Sequence, residues 1–132
     1  MRSELLNIPI NPAKIKSGHI EKDFQLQVMT YLRKRDWYCF KIPDVGLGTR
    51  LLDGYHITPE WDQFLIEYKK TTGFTFNMSQ FEPSQIFLLE WMTEHNAEAY
   101  VMVYSTKTNT YWVGTYSYLK THQNERWGIK LF

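Results

Sequence analysis

Long apolar runs are missing from this chain. No stretch approaches the roughly twenty residues that a membrane-spanning helix needs, so none is expected. Cysteine is nearly absent: Cys39 stands alone, which excludes an internal disulfide framework. There is almost no net charge, 15 basic against 14 acidic residues giving +1, so a nucleic-acid partner would have to meet a local basic surface rather than a basic whole. The first seventy residues carry +2 and the remainder −1. Neither a G-x-S-x-G elbow nor a P-loop occurs, which sets aside those hydrolases and the nucleotide-triphosphate motors. The opening MRSELLNIPINPAK lacks the long apolar stretch and small-residue cleavage site of a signal peptide, so the expectation is a cytoplasmic protein. No internal repeat or low-complexity segment is found.

What the chain has in quantity is aromatic side chains: 5 Trp, 9 Tyr and 8 Phe, or 17% of the 132 residues. They provide core and surfaces that can stack. Hydrophobic and charged residues, at 43% and 22%, sit near globular averages, so disorder, collagen and coiled coil are poor readings. The length predicts one domain with a proper core. Residues 1–17, with Pro9, Pro12, Lys14 and Lys16, lack amphipathic period and read as an extended arm. From Ile20 to Arg35, Phe24, Val28, Tyr31 and Leu32 fall at helical spacing, with Ser17 or Gly18 as N-cap. Trp37–Ile42 reads as a strand ended by Pro43, and 44–49 as a loop. Leu51–Ile57 and Phe64–Lys70 are strand-like runs separated by a turn-rich spacer, a predicted antiparallel hairpin. A second helix runs from Pro83 to about His95, and Ala99–Ser105 with Tyr111–Tyr116 forms a second hairpin. The tail from Thr121 takes no assignment. Together these predict an α/β fold, a mixed central sheet flanked by helices.

The first hairpin permits a geometric step. If its centre lies at Glu60, Asp53 faces Glu67 and Leu51 faces Lys69. Alternation then puts Asp53, Glu67 and Lys69 on one face, with opposed Cβ atoms roughly 5 Å apart. Two opposed carboxylates destabilise a sheet unless a cation sits between them, and an all-oxygen ligand set suits Mg²⁺ or Mn²⁺ rather than zinc. Glu21 stands three residues before Phe24, at the N-terminal end of the stripe facing the sheet, and would be a third acid. Plainer readings exist: Glu21 complements the helix dipole, and Asp53, Glu67 and Lys69 form a solvated stripe with an ion pair. His19, His56, His95 and His122 lack metal-ligand spacing and read as surface or packing residues. Cys39 reads as a core thiol. Trp61, Trp112 and Trp127 pack in the core or serve a subunit interface.

The ordered set is more specific than any member. Glu21 in EKDFQLQVMTYLRKRDWYCFKIP, Asp53 in LLDGYHI, Glu67-Tyr68-Lys69 in FLIEYKK, and Gln85 in SQIFLLEWMTEHNAEAYVMVYS, followed by YWVGTYSYL, together resemble the PD-(D/E)XK nuclease superfamily. Within it the pattern is most similar to the Holliday junction resolvase-like branch, including RecU-type and phage-encoded resolvases. The resemblance spans Ile20 to Leu119 and implies a restriction-endonuclease-like core of αβββαβ order plus a further strand. Two departures stand out. The literal Pro-Asp pair, Pro43-Asp44, lies too far before Glu67 to be its hairpin partner, so Asp53 takes that place. Ser84 stands where the RecU-type pattern has histidine.

This resemblance implies a Mg²⁺-dependent endodeoxyribonuclease, with Mn²⁺ as substitute, that cuts four-way junctions as a homodimer during recombination or repair in a bacterial, archaeal or phage-infected cell. Asp53, Glu67 and the Tyr68 carbonyl would hold the metal, with Glu21 joining directly or through water. Lys69 would position the attacking water and offset charge on the phosphate. Gln85 would orient water or DNA, or simply cap the sheet as a buried amide. Lys14, Lys16, Arg33, Lys34, Arg35, Lys41, Arg50 and Lys70 are candidate phosphate contacts, suited to reading shape rather than base sequence. The alternatives are a repair or restriction-like nuclease on the same core, or a non-catalytic DNA-binding module.

Overall fold

The computed structural model describes residues 2–43 and 52–122. Helix α1 (Ile20–Arg33) lays Phe24, Val28, Met29 and Leu32 against the sheet. It stops where Asp36 adopts φ 66°, a left-handed conformation that Asp tolerates, and the Trp37 N–H closes back on the Leu32 carbonyl at 3.2 Å. Its N-cap is His19, one residue beyond the expected Ser17 or Gly18, and makes no side-chain cap. Strands β1 (Tyr38–Lys41), β2 (Gly54–Ile57) and β3 (Gln63–Thr71) follow, then α2 (Pro83–Glu94), β4 (Ala99–Ser105), β5 (Thr110–Thr115) and α3 (Tyr116–His122). The sheet order is β1-β2-β3-β4-β5. Every pairing is antiparallel except β3 with β4, where α2 supplies the crossover that parallel neighbours require.

Two layers cover this sheet. Even-numbered side chains of β3 (Phe64, Ile66, Tyr68) and β4 (Tyr100, Met102, Tyr104) pack under α1, whereas Leu65, Val101 and Val103 face α2. Strand β4 is buried on both faces, as a central strand should be. α2 starts on Pro83, with Glu82 and Gln85 forming a capping box, and buries Gln85, Leu89 and Met92 at helical spacing. The α/β expectation holds in element order and in nearly every boundary.

Two segments differ from the sequence reading. Residues 2–17, expected as an extended arm, are fastened to the domain instead: 3₁₀ turns at Ser3–Leu5 and Pro12–Lys14 carry Leu5 and Ile8 into the α1-side core. The Tyr111 hydroxyl accepts the Ile8 N–H at 2.9 Å and donates to the Leu5 carbonyl at 2.6 Å, and Arg2 reaches Glu98 at 2.9 Å and Asp62 at 3.2 Å. Prolines removed the helical period there, but isolated apolar residues were enough to anchor the segment. At the other end, Tyr116 closes no strand. It opens α3, whose Tyr116 and Leu119, three apart, are buried beside α2, while Glu90 accepts from the Tyr116 hydroxyl at 3.0 Å and Lys120 at 2.8 Å. Among the described residues no helix is long and apolar enough to cross a membrane.

Under α1, His56 is wholly buried, stacked on Phe64 at 5.4 Å with Nε2 3.3 Å from the Tyr68 hydroxyl. It is a packing residue, as read, and Cys39 across the ladder is a buried thiol pushed up to about 11 by desolvation. Burial likewise lowers the His56 pKa from 6.5 to about 4. The folded chain therefore holds a neutral imidazole that the unfolded chain protonates first, so stability falls as pH drops below 6.5 and stops falling from this source below about 4. Between pH 7.5 and 5 the loss should be about 2 kcal/mol. Denaturant unfolding of wild type and His56→Leu across that range checks this: the variant should lose the slope between pH 6.5 and 5, and an unchanged slope would remove His56 as its source.

Candidate active site

The β2–β3 register is the one derived from a centre at Glu60: Gly54 pairs with Ile66, Tyr55 with Leu65, Ile57 with Gln63. Continuing it by one residue brings Asp53 to Glu67. The strand itself begins at Gly54, however, so Asp53 occupies a bend at its mouth, where its carbonyl still accepts the Ile42 N–H at 2.8 Å. Its carboxylate turns toward β3, and Oδ2 accepts the Tyr68 backbone N–H at 2.9 Å. That peptide joins Glu67 to Tyr68, so the Asp53 carboxylate sits on the bond that leads out of Glu67. Even-numbered peptide groups of β3 point toward β2, so the Tyr68 carbonyl opens on this same side, past the end of the shorter strand. Gly54 permits the turn, since a Cβ there would stand 2.6 Å from His56 and 2.8 Å from Met29.

Glu67 and Lys69 share the other side of β3, facing α2. Glu67 is fully buried and Lys69 is 8% exposed, with Nζ 3.8 Å from Glu67 Oε2. The Lys69 ammonium donates to the Gln80 carbonyl at 3.0 Å and to Gln85 Oε1 at 3.2 Å, and lies 5.1 Å from the centre of the Phe81 ring. Gln85 Oε1 also accepts the Glu82 N–H at 3.0 Å. One amide oxygen thus closes the first turn of α2 and holds the lysine. Removing two charges from water is costly unless donors and acceptors are satisfied, which is what this arrangement achieves for Lys69.

A hollow of about 320 Å³ opens beside Asp53 on the α1 side, lined by Glu21, Lys22, Gln25, Lys41, Asp53 and Lys70 among others. Glu21 is only part-buried, in the opening turn of α1. The hollow therefore gathers Glu21 and Asp53, whereas Glu67 and Lys69, expected on the same face as Asp53, do not line it: Asp53 leaves the ladder at the bend and turns its carboxylate to the Tyr68 N–H, while Glu67 and Lys69 face α2. Among the described residues no three His, Cys, Asp or Glu side chains cluster tightly enough to hold a metal ion between them. The donors available are all oxygen: the Asp53 carboxylate and Tyr68 carbonyl on one side, with Glu21 and Glu67 to either side. That set fits Mg²⁺, which takes one or two carboxylates and keeps several waters, better than an ion needing a full protein cage.

The candidate phosphate contacts divide. Lys41 and Lys70 line the hollow. Arg33, Lys34 and Arg35 stand at the C-terminal end of α1 and do not line the hollow, although Arg33 reaches Met29 Sδ at 3.9 Å, the same sulfur that Gln25 of the hollow approaches at 4.0 Å. There Arg33 donates to the Cys39 carbonyl at 2.7 Å, and Arg35 donates to the Tyr31 carbonyl at 3.2 Å with its guanidinium 3.5 Å from the Tyr31 ring centre. Lys14 and Lys16 are exposed on the fastened N-terminal segment. Arg50, like Asp44, Leu51 and Trp127, lies outside the described residues. Of the tryptophans left open, Trp112 is in the core and Trp61 is 79% exposed.

Sequence reasoning missed Lys22 and Gln25, which only the packing of α1 brings to the hollow. It also missed the Gln80 carbonyl, a backbone group without a sequence signature. Lys22 had one signal, its place beside Glu21 in the first helical turn. The role of Gln85 is open to a direct check. Gln85→Leu strips an acceptor from the buried Lys69 and breaks the capping box, and should cost about 1–3 kcal/mol in denaturant unfolding. Gln85→Glu keeps the acceptor and should cost clearly less. Equal losses would mean that the oxygen is not what matters.

No family model matches the chain, and no curated protein matches it. Among solved structures it is similar to Hjc, a Holliday junction resolvase from the archaeal hyperthermophile Archaeoglobus fulgidus, at 14% identity over 71% of this chain and 74% of that one, with a TM-score of 0.53. At that identity the likeness is one of fold: a mixed five-stranded sheet with flanking helices, of the restriction-endonuclease-like α/β kind.

Proposed function

We propose that this chain is a metal-dependent DNA endonuclease, selective for branched DNA of the four-way junction kind. The observation that carries the reading is the seating of the Asp53 carboxylate on the Glu67–Tyr68 peptide, two residues from a buried, hydrogen-bonded Lys69. The likeness of fold to a Holliday junction resolvase supports it. In this reading Asp53, Glu67 and the Tyr68 carbonyl hold a Mg²⁺ or Mn²⁺ ion, and Glu21 reaches it directly or through water. The ion, when bound, lowers the pKa of water so that hydroxide is at hand near neutral pH. Asp53 is oriented by the Tyr68 N–H before any ligand arrives, so little order is lost on binding. Lys69, fixed by Gln80 and Gln85, holds a positive charge where negative charge grows on the phosphate, and Gln85 acts by positioning that ammonium. Paired nicks in a symmetric junction would use two copies of the chain, acting inside the cell.

One observation favours a second reading, a DNA-binding module without catalysis: no three acidic or imidazole side chains cluster among the described residues. The same experiment separates the two. A labelled four-way junction, a linear duplex and a single strand are incubated with the protein in Mg²⁺ and in Mn²⁺. Paired symmetric cuts confined to the junction are expected. Cleavage of linear duplex as well would point to a repair or restriction-like enzyme, and no cleavage of any substrate would favour the module. Asp53→Asn should abolish cleavage while junction binding persists, and wild-type rates in that variant would take Asp53 out of the mechanism.

A further inference from the structure

Three lysines converge on the hollow from three separate elements: Lys22 from the first turn of α1, Lys41 from the end of β1, and Lys70 from β3. Lys41 pairs with Gly54, the neighbour of Asp53, and Lys70 shares a β3 face with Tyr68, whose N–H holds the Asp53 carboxylate. Among the described residues none of the three ammonium groups is in an ion pair, in contrast to Arg2, Lys69 and Lys120. Nor are they spent on carbonyls and rings, as Arg33 and Arg35 are. Like charges gathered around one cavity repel each other, and the repulsion is relieved when an anion enters. Glu21 and Asp53 also line the cavity, so the lining carries three positive and two negative side chains, and it becomes more attractive to an anion once the carboxylates are neutralised.

We propose that Lys22, Lys41 and Lys70 act together as one clamp that seats a single backbone phosphate of the nucleic acid beside Asp53. This rests on the reading of the chain as acting on DNA. It goes beyond that reading by adding Lys22 to the binding surface, and by assigning the three cations to one phosphate instead of a track of several. The second statement has a measurable signature. The salt dependence of DNA binding counts the phosphates that are neutralised, at about 0.9 in log–log slope for each on duplex DNA, and not the lysines that neutralise them. Three lysines on one phosphate therefore weigh as one.

The test is fluorescence anisotropy of a labelled duplex and a labelled four-way junction against NaCl concentration, in EDTA so that nothing is cut, for wild type, each Lys→Ala variant and the triple variant. Circular dichroism and unfolding midpoints confirm that the variants are folded, which is expected at exposed and half-buried positions. The expected result is a triple variant whose slope is shallower by about 0.9, single losses of affinity that do not add, and an equal effect on duplexes of unrelated sequence. A slope shallower by about 2.7 would mean three separate phosphates and would overturn the clamp. An unchanged slope would mean that the hollow holds no phosphate and would overturn it as well, as would wild type that binds neither DNA. The nuclease reading stands or falls separately, on whether wild type cuts in Mg²⁺ or Mn²⁺.

Discussion

A carboxylate oxygen 2.9 Å from a strand amide is the contact on which the arrangement of this molecule turns. β2 gives out at Gly54 while β3 runs on to Thr71, so the peptide groups of β3 beyond Ile66 have no strand partner on that side. An amide left there without an acceptor would be expensive. Asp53 resolves this by turning its side chain into the place where a backbone carbonyl would have been. A structural need is met by the same group that offers the remaining carboxylate oxygen to the hollow.

The rest of the site is arranged around that strand extension. Side chains of β3 alternate, so one short run sends Tyr68 and Lys70 to the α1 side and Glu67 and Lys69 to the α2 side. The two sides are treated differently. The α2 side is closed: Phe81, Gln80 and Gln85 enclose the Lys69 ammonium, and Glu67 is fully buried. The α1 side is open, with three lysines that form no ion pair among the described residues beside part-exposed acids. One charge is thus fixed in a low-dielectric setting where its field is strong, and others are left free to meet a ligand.

Much of this was legible in the sequence, for identifiable reasons. Alternation and a turn-rich spacer set the hairpin register, so the pairing of Gly54 with Ile66 and of Ile57 with Gln63 followed from counting. Helical spacing located Phe24, Val28 and Leu32, and Pro83 located the start of α2. What escaped depends on contacts distant in the chain. The burial of Leu5 and Ile8 is decided by Tyr111, over a hundred residues away, and the Asp53 bend by the length mismatch of two strands. Lys22 and Gln25 come to the hollow only because α1 crosses the sheet as it does. Glu67 and Lys69 share a face as alternation requires, whereas Asp53, expected on that face, sits in a bend at the mouth of β2 and opens into the hollow on the α1 side.

The parallel pairing of β3 with β4 carries a consequence for how the molecule is assembled. A hairpin closes quickly, but parallel neighbours must wait for their crossover, and here that crossover is the segment containing Gln80 and Gln85. The hairpin by itself carries Glu67 and Lys69 without the groups that hold the ammonium. Only when residues 72–98 wrap into place does Lys69 gain its acceptors, and the same event seals the central strand. The seating of the buried ammonium and the closure of the central strand therefore depend on one and the same segment.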